Sequence, residues 1–101
     1  MVHKLLIIIM AALVFSAFTR RPSHKPLDGK SLFEKNCQKC HGAKGTKGFF
    51  GAANLQKSTI TEDAIIERIQ IGKKFMPSFK SKLSPDEIKE LAGYVKTLRT
   101  N

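Results

Sequence analysis

The sequence predicts an all-α fold in which three main helices are joined by irregular loops. Three stretches begin with a helix-capping residue and continue with apolar residues at helical spacing, and no run alternates apolar and polar residues as a half-buried strand does. The domain at residues 28–101 is also short, so its core is marginal. Domains of this size usually need a disulfide, a metal or a cofactor to become stable, and we expect one here.

The first 18 residues are predicted to be a signal peptide or an N-terminal membrane anchor. A basic start precedes an apolar run over residues 5–18 that only Ser16 interrupts. Fourteen residues match the core of a signal peptide and are short for a helix that crosses a bilayer. In an anchor, Arg20 and Arg21 would lie on the exported side, against the positive-inside tendency, and this favours cleavage. Both interpretations take the domain out of the cytoplasm, to the periplasm or another exported compartment.

A linker separates this segment from the domain. Residues 19–27 have the composition of an exposed connection, with two prolines among them. Asp28 then caps a first helix that runs toward Cys37. The predicted organisation is therefore a signal or anchor at 1–18, a linker at 19–27 and one domain at 28–101.

An irregular loop and a second helix follow. Four glycines between residues 42 and 57 predict the loop, whose Phe49 and Phe50 are too apolar for full exposure, so we expect them to pack on another group. Thr61 is predicted to cap the second helix, which carries acidic residues in its first turn and isoleucines along one face. Gly72 is predicted to end it.

The last helix has the clearest signals. Ser84 stands at the cap, Pro85 at the first helical position, and Glu87 three residues after the cap completes a capping box. Apolar residues then recur at helical spacing along one face: Ile88, Leu91, Ala92, Val95 and Leu98. Three helices of this size leave a space that another group must fill.

The chain is strongly basic, with 18 Lys and Arg against 8 Asp and Glu and a formal net charge of +10 at pH 7. Such a charge suits nucleic acid, anionic lipid or an acidic protein surface. We do not expect nucleic-acid binding, because no recognised binding motif is present and Tyr94 lies in an amphipathic helix instead of a basic patch.

The pentapeptide Cys37-Gln-Lys-Cys40-His41 is the pattern of c-type haem attachment. Two thiols at this spacing can add to the two vinyl groups of one haem, and a histidine directly after the second thiol lies under the ring, where its nitrogen can bind the iron. One covalently attached haem c would also fill the core. The predicted cofactor-binding residues here are therefore Cys37, Cys40 and His41.

Two other chemistries use a Cys-x-x-Cys pair. A thioredoxin-like dithiol site requires a βαβ pattern, which this sequence lacks. A structural zinc site requires four ligands, and outside the pentapeptide the domain and its linker offer only His24. Haem attachment is therefore the prediction, with zinc binding and dithiol chemistry as alternatives.

From residue 28 to residue 100 the chain resembles the class I cytochromes c. Gly29, Phe33 and Cys37, spaced four apart, resemble the first helix of that family, and Leu91 and Tyr94 match the positions that this helix meets on the last one. The resemblance implies the cytochrome c fold, with three main helices and irregular loops around one covalently bound haem. It also implies that the first and last helices cross closely at the glycine.

Residues 72–79 resemble the loop that carries the second axial ligand in this family, and the resemblance implies that His41 and Met76 bind the iron. Elimination supports Met76 independently, because the other two methionines lie in the first 18 residues. Alternatively, Met76 packs in the core without binding the iron. The iron is then five-coordinate, or it recruits a lysine such as Lys73 or Lys74.

The chain departs from the family before Asn54 and Leu55, where Ala53 stands in place of a frequent proline. In the family the carbonyl of that proline accepts a hydrogen bond from the ligand histidine. Any residue offers a carbonyl, so we expect the bond to persist in a less rigid loop. Only 35 residues separate His41 from Met76, which is typical of the compact bacterial or algal type.

The predicted function is one-electron transfer by a monomeric carrier that transforms no substrate and is not an enzyme. The alternatives are a haem subunit of an exported redox enzyme complex and a gas-binding or catalytic haem protein with an open iron site. Lysines that flank the haem-binding segments could steer docking to acidic redox partners: Lys39, Lys44, Lys47, Lys73, Lys74, Lys80 and Lys82. The apolar residues expected to line the haem pocket are Phe49, Phe50, Ile69, Phe75 and Phe79.

Overall fold

A computed structural model of the protein describes residues 27–100. Its helices are α1 (Gly29–Asn36), α2 (Gln38–His41), α3 (Glu62–Ile71) and α4 (Pro85–Thr97), with a 3-10 turn at Phe49–Gly51. These residues form no strand, so the all-α prediction is confirmed. The sequence did not predict that α2 would be separate from α1.

The signal or anchor predicted at 1–18 and most of the linker at 19–27 lie outside the described residues. Within residues 27–100, no helix has the length and apolar character needed to span a membrane.

The helix starts are fixed by local hydrogen bonds, as predicted. The Asp28 carboxylate accepts a hydrogen bond from the backbone N–H of Ser31 (2.9 Å), and this bond lowers the pKa of Asp28 below its ordinary value near 3.8. The Thr61 hydroxyl accepts from the backbone N–H of Ala64 (3.1 Å). These caps supply partners for N–H groups that the first turn of a helix leaves unpaired.

At the start of α4 both bonds of the predicted capping box are present. The Ser84 hydroxyl accepts from the backbone N–H of Glu87 (3.2 Å), and the Glu87 carboxylate accepts from the backbone N–H of Ser84 (3.1 Å). Pro85 occupies the first helical position, where no N–H is needed.

Helices α1 and α4 cross at Gly29. A Cβ atom on Gly29 would lie 2.3 Å from the backbone oxygen of Glu90 and 2.8 Å from the Cβ of Tyr94, so only glycine allows this approach. One turn later, the rings of Phe33 and Tyr94 pack with their centroids 5.4 Å apart. Leu91 is fully buried beside them. The close helix crossing implied by the family resemblance is therefore confirmed.

The core lies between α1, α3 and α4. It consists of the buried side chains Leu32, Phe33, Ile65, Ile69, Phe79, Ile88, Leu91, Ala92 and Val95. Half-buried side chains from the loops pack against this core, among them Cys37, Leu55 and Met76. The helical scaffold therefore touches both segments that the sequence assigns to the site.

Candidate haem site

The three residues of the attachment motif lie within one turn of backbone. Cys37 ends α1 and precedes α2, and its carbonyl accepts hydrogen bonds from the backbone N–H groups of Cys40 (3.2 Å) and His41 (3.0 Å). Both cysteines are half-buried. The short helix α2 thus brings together Cys37, Cys40 and His41, as the spacing in the sequence requires.

The Cys37 thiol lies in an environment that disfavours its ionisation. Burial raises the pKa of its thiol to about 11, and the neighbouring Cys40 adds to the rise. A thiol with a raised pKa stays protonated at neutral pH, whereas dithiol redox sites depend on a cysteine whose pKa is lowered. The environment of Cys37 therefore does not favour thiol–disulfide exchange. Among residues 27–100, no cluster of three or more His, Cys, Asp or Glu side chains could hold a metal ion.

The His41 ring is held by the loop that follows it. Its Nδ1 lies 3.0 Å from the carbonyl oxygen of Ala53, which confirms the hydrogen bond expected at that position. Because a carbonyl only accepts, Nδ1 carries the proton and Nε2 keeps the lone pair that can bind a metal. The backbone N–H of Lys47 also donates to the His41 carbonyl (2.8 Å), so this loop folds back onto α2.

A tight turn presents Met76. The backbone N–H groups of Lys73 and Met76 each donate to the other residue's carbonyl, both at 3.0 Å, and Lys74 between them has a φ of 54°. Gly72 precedes the turn with a φ of 77°, and a Cβ there would lie 2.4 Å from the Met76 carbonyl oxygen. This glycine therefore ends α3, as predicted, and also makes the turn possible.

The end of the same turn is bound to α3. The backbone N–H of Phe79 donates to the carbonyl of Ile69 (3.0 Å), and the Ser78 hydroxyl donates to the carbonyl of Gln70. Met76 is half-buried and packs against the core that Cys37 also contacts. A histidine nitrogen and a methionine sulfur are an established pair of axial ligands for c-type haem, so the residues present fit this cofactor.

The residues expected to line the pocket separate into two groups. Ile69 and Phe79 are buried in the core. Phe49, Phe50 and Phe75 are exposed, with 49%, 65% and 77% of their surface accessible. The polypeptide alone does not cover Phe49 and Phe50, so their contact with a haem stays a prediction. Their rings pack on each other, with centroids 4.5 Å apart.

Charge is segregated along the chain in a way that the overall composition does not reveal. Residues 35–61 and 68–85, which carry the candidate ligands, hold ten Lys and Arg and no Asp or Glu. All seven lysines expected around the site are exposed. Our sequence reasoning counted these lysines but missed the absence of acidic residues, which was visible in the sequence. It also missed the contact between Phe50 and Phe75, for which the sequence offered no signal.

An all-α domain whose first and last helices cross at a glycine, with Cys-x-x-Cys-His on a short helix beside them, is the architecture of a c-type cytochrome. The family model for cytochrome c oxidase, cbb3-type, subunit III matches residues 24–95. Cytochrome c6 of Nostoc sp. strain PCC 7120 is 30% identical over 101 residues, which cover 93% of this chain and 89% of that protein.

Two solved structures share the fold. The KustC0563 c-type cytochrome superposes with a TM-score of 0.68 at 30% identity, over 73% of this chain and 100% of the other. Cytochrome c6 from the diatom Phaeodactylum tricornutum gives a TM-score of 0.61 at 34% identity, over 68% and 87% of the two chains. The chain belongs to the small monohaem class I c-type cytochromes, and it is an electron carrier with a single covalently attached haem c.

Proposed function

We propose that this carrier attaches its haem through Cys37 and Cys40 and binds the iron with His41 and Met76. The observation that carries the proposal is the hydrogen bond between His41 Nδ1 and the Ala53 carbonyl, because it leaves Nε2 as the ring nitrogen available to bind iron, on the residue that follows Cys40. When bound, the haem supplies a one-electron couple between ferric and ferrous iron. No substrate is transformed.

His41 is prepared as a ligand by its second hydrogen bond. Donation from Nδ1 to the Ala53 carbonyl fixes the ring orientation and makes Nε2 more basic. The N–H of Lys47 on the His41 carbonyl ties the loop to the same residue. These bonds restrict the position of the nitrogen, and a restricted ligand would keep structural change during electron transfer small.

Met76 completes the ligand set. It is the only methionine among residues 27–100, and the paired hydrogen bonds with Lys73 hold its backbone in the turn. A thioether is a neutral ligand that favours the less charged ferrous iron and raises the reduction potential. The core beside Met76, which includes Ile69 and Phe79, keeps water away and favours the same state.

The partners are redox proteins, and we propose that their docking surfaces are acidic. Seven exposed lysines lie in the two segments that contain no acidic residue. Opposite charge on a partner would raise the rate of encounter in a salt-dependent way. We also propose that the carrier is monomeric and exported, with residues 1–18 as the signal or anchor that directs export.

The test of the ligand set is the visible spectrum of the holoprotein with Met76→Leu, which keeps apolar volume but removes the sulfur. We expect the variant to lose the weak long-wavelength band of ferric haem bound by a thioether and to bind carbon monoxide when reduced. Its potential should fall by on the order of 0.1 V, a fraction of the ~0.8 V range that axial ligands control.

Leu83→Ala is the matched control, because Leu83 is also half-buried against the core. It should lower stability and keep the band. An unchanged band and potential in Met76→Leu would mean that Met76 only packs. Carbon monoxide binding by the wild type would instead indicate an open iron position.

A further inference from the structure

The chain beyond α4 crosses to the loop that precedes α3. Leu98 caps the end of α4 and packs half-buried against the core. The guanidinium of Arg99 then donates a hydrogen bond to the carbonyl of Ile60 (2.5 Å). The backbone N–H of Thr100 donates to the carbonyl of Gln56 (3.1 Å). These two contacts bind both ends of one loop segment, and we call Arg99 and Thr100 the α4 clasp.

The loop held by the α4 clasp begins at the hydrogen-bond partner of His41. Ala53, whose carbonyl lies 3.0 Å from His41 Nδ1, directly precedes a turn over residues 54–57. The Asn54 side chain closes this turn by accepting a hydrogen bond from the backbone N–H of Gln56 (3.0 Å). Because the clasp binds the carbonyl of the same Gln56, movement of the turn away from the clasp would shift the carbonyl that orients the His41 ring.

Arg99 is placed in a way that helix stability does not explain. It lies beyond the last turn of α4, and its side chain is half-buried. Its Nε atom is buried without a hydrogen-bond partner among residues 27–100, and removing part of a guanidinium from water in this way costs free energy. Such groups are uncommon in native proteins, and each requires an explanation. The bond to Ile60, which fixes the loop just before α3, is the contact that offers one.

The loop depends on such contacts because it is poorly buried. None of the residues 51–61 has a fully buried side chain. Segments with few buried apolar contacts open locally at a free energy below that of global unfolding. Each hydrogen bond from the α4 clasp is lost when this loop opens, so each bond makes local opening less favourable.

We propose that Arg99 and Thr100 are positioning residues for His41. The α4 clasp keeps the loop closed and thereby keeps the Ala53 carbonyl on Nδ1. This inference rests on the proposed role of His41 as an iron ligand and extends the control of that ligand to the end of α4. A firm bond on Nδ1 makes Nε2 a stronger donor, which favours ferric iron, so the clasp lowers the reduction potential through residues that do not bind the iron.

The test measures hydrogen exchange of the His41 Nδ1–H by nuclear magnetic resonance in the full, reduced, haem-containing chain. This proton exchanges with water when its bond to Ala53 opens, so its rate reports opening of the loop. Thr100→Pro removes the backbone N–H of the clasp without changing the charge. We expect exchange about tenfold faster in this variant, as the loss of one hydrogen bond implies, together with an upward shift of the midpoint potential.

Three further variants sharpen the comparison. Arg99→Gln should also speed exchange of the ring proton severalfold, and Arg99→Lys, which keeps a charged donor, should restore part of the protection. Lys96→Gln is the matched control, because it removes the same charge one turn earlier and breaks the pair of Lys96 with Glu62 in α3, not a contact with the loop. It should exchange as the wild type does. Buried backbone amides of α1 are the internal reference and should be unchanged in all four variants.

Several outcomes would overturn the proposal. Unchanged ring exchange in both Thr100→Pro and Arg99→Gln would show that the clasp does not control His41. Equal acceleration of the α1 amides would mean that the variants lower only global stability. Equal acceleration in Lys96→Gln would assign the effect to charge at the end of α4.

Failure of the proposed function would look different. A wild-type spectrum without an iron-bound histidine would refute the proposed role of His41 and the clasp together. Unchanged exchange beside an intact histidine signal would refute the clasp alone. The Met76→Leu result does not enter this comparison, because the ring proton lies on the His41 side of the iron.

Discussion

The crossing of α1 and α4 and the loops at 42–57 and 72–83, which we call the loop half, differ in the contacts that stabilise them. At the crossing, α1 and α4 are in direct backbone contact at Gly29, and Leu32, Phe33 and Leu91 are fully buried. In the loops at 42–57 and 72–83, the only buried apolar side chain is Phe79, and aromatic rings face solvent. The crossing is stabilised by fully buried side chains, whereas the loops are held by turns, backbone hydrogen bonds and side chains that are only half-buried.

This difference separates scaffold from function. The loops hold the His41 ring from one side and carry Met76, and they contain both positions of strained backbone, Phe50 and Lys74, and no acidic residue. They therefore combine the chemistry with the charge that suits a partner. A haem attached to α2 would supply the apolar contacts that the loop half lacks. The cofactor should therefore stabilise mainly the loops, whereas side-chain packing should stabilise mainly the crossing of α1 and α4.

Removing the cofactor should have the largest effect. We expect a Cys37→Ser/Cys40→Ser chain produced without haem to lose its cooperative unfolding transition, because the nine buried side chains among residues 27–100 form a marginal core. The loss would be on the order of 5 kcal/mol or more, comparable with the whole stability of a small domain. Urea titration followed by circular dichroism measures it, with the haem-containing wild type as reference.

Hydrogen exchange on the same haem-free chain sharpens the comparison. Any remaining protection should be confined to α1 and α4. A haem-free chain that unfolds with the same midpoint and slope as the holoprotein would contradict the dependence of the loops on the cofactor.

Gly29→Ala tests the crossing and should have the next largest effect. The new Cβ would overlap the backbone oxygen of Glu90 at 2.3 Å, so α4 must move away. Overpacking against backbone lowers the free energy of unfolding by about 3 kcal/mol. Thermal or urea unfolding of the holoprotein measures this.

Gly93→Ala is the matched control, because a Cβ on Gly93 in α4 would meet nothing within 4 Å. Alanine is favoured over glycine in a helix, so this variant should gain about 0.5–1 kcal/mol. Similar stabilities for the two alanine variants would mean that the helices do not cross as closely as described.

Ala53→Pro tests the loop half and should have the smallest effect. Proline keeps the carbonyl that holds His41, and the preceding Ala52 already has the extended conformation (φ −58°, ψ 135°) that a following proline favours. Reduced freedom of the unfolded chain should raise the free energy of unfolding by about 0.4–1 kcal/mol. Urea unfolding of the holoprotein checks the sign, and a loss of stability would show that the loop relies on a conformation proline cannot adopt.

The sequence predicted most of the scaffold correctly. The caps at Asp28, Thr61 and Ser84 involve side chains and backbone groups three residues apart, so a local pattern is sufficient to locate them. The hydrogen bond from His41 to the Ala53 carbonyl was also predicted, because the position of Ala53 before Asn54 and Leu55 resembles a loop of the cytochrome c family. The packing of Phe49 against Phe50 was not predicted, since apolar character indicates burial but not which neighbour a turn presents.

By itself, the sequence determined where the helices begin, that two thiols and a histidine would share one turn, and that a single methionine in the domain could complete the ligand set. These features depend on spacing and on residue type. Only the tertiary structure decided that Met76 turns toward the core while Phe75 turns outward, and that Phe75 meets Phe50 from another loop. Such contacts join residues 25 positions apart through backbone of positive φ, and no local pattern encodes that conformation.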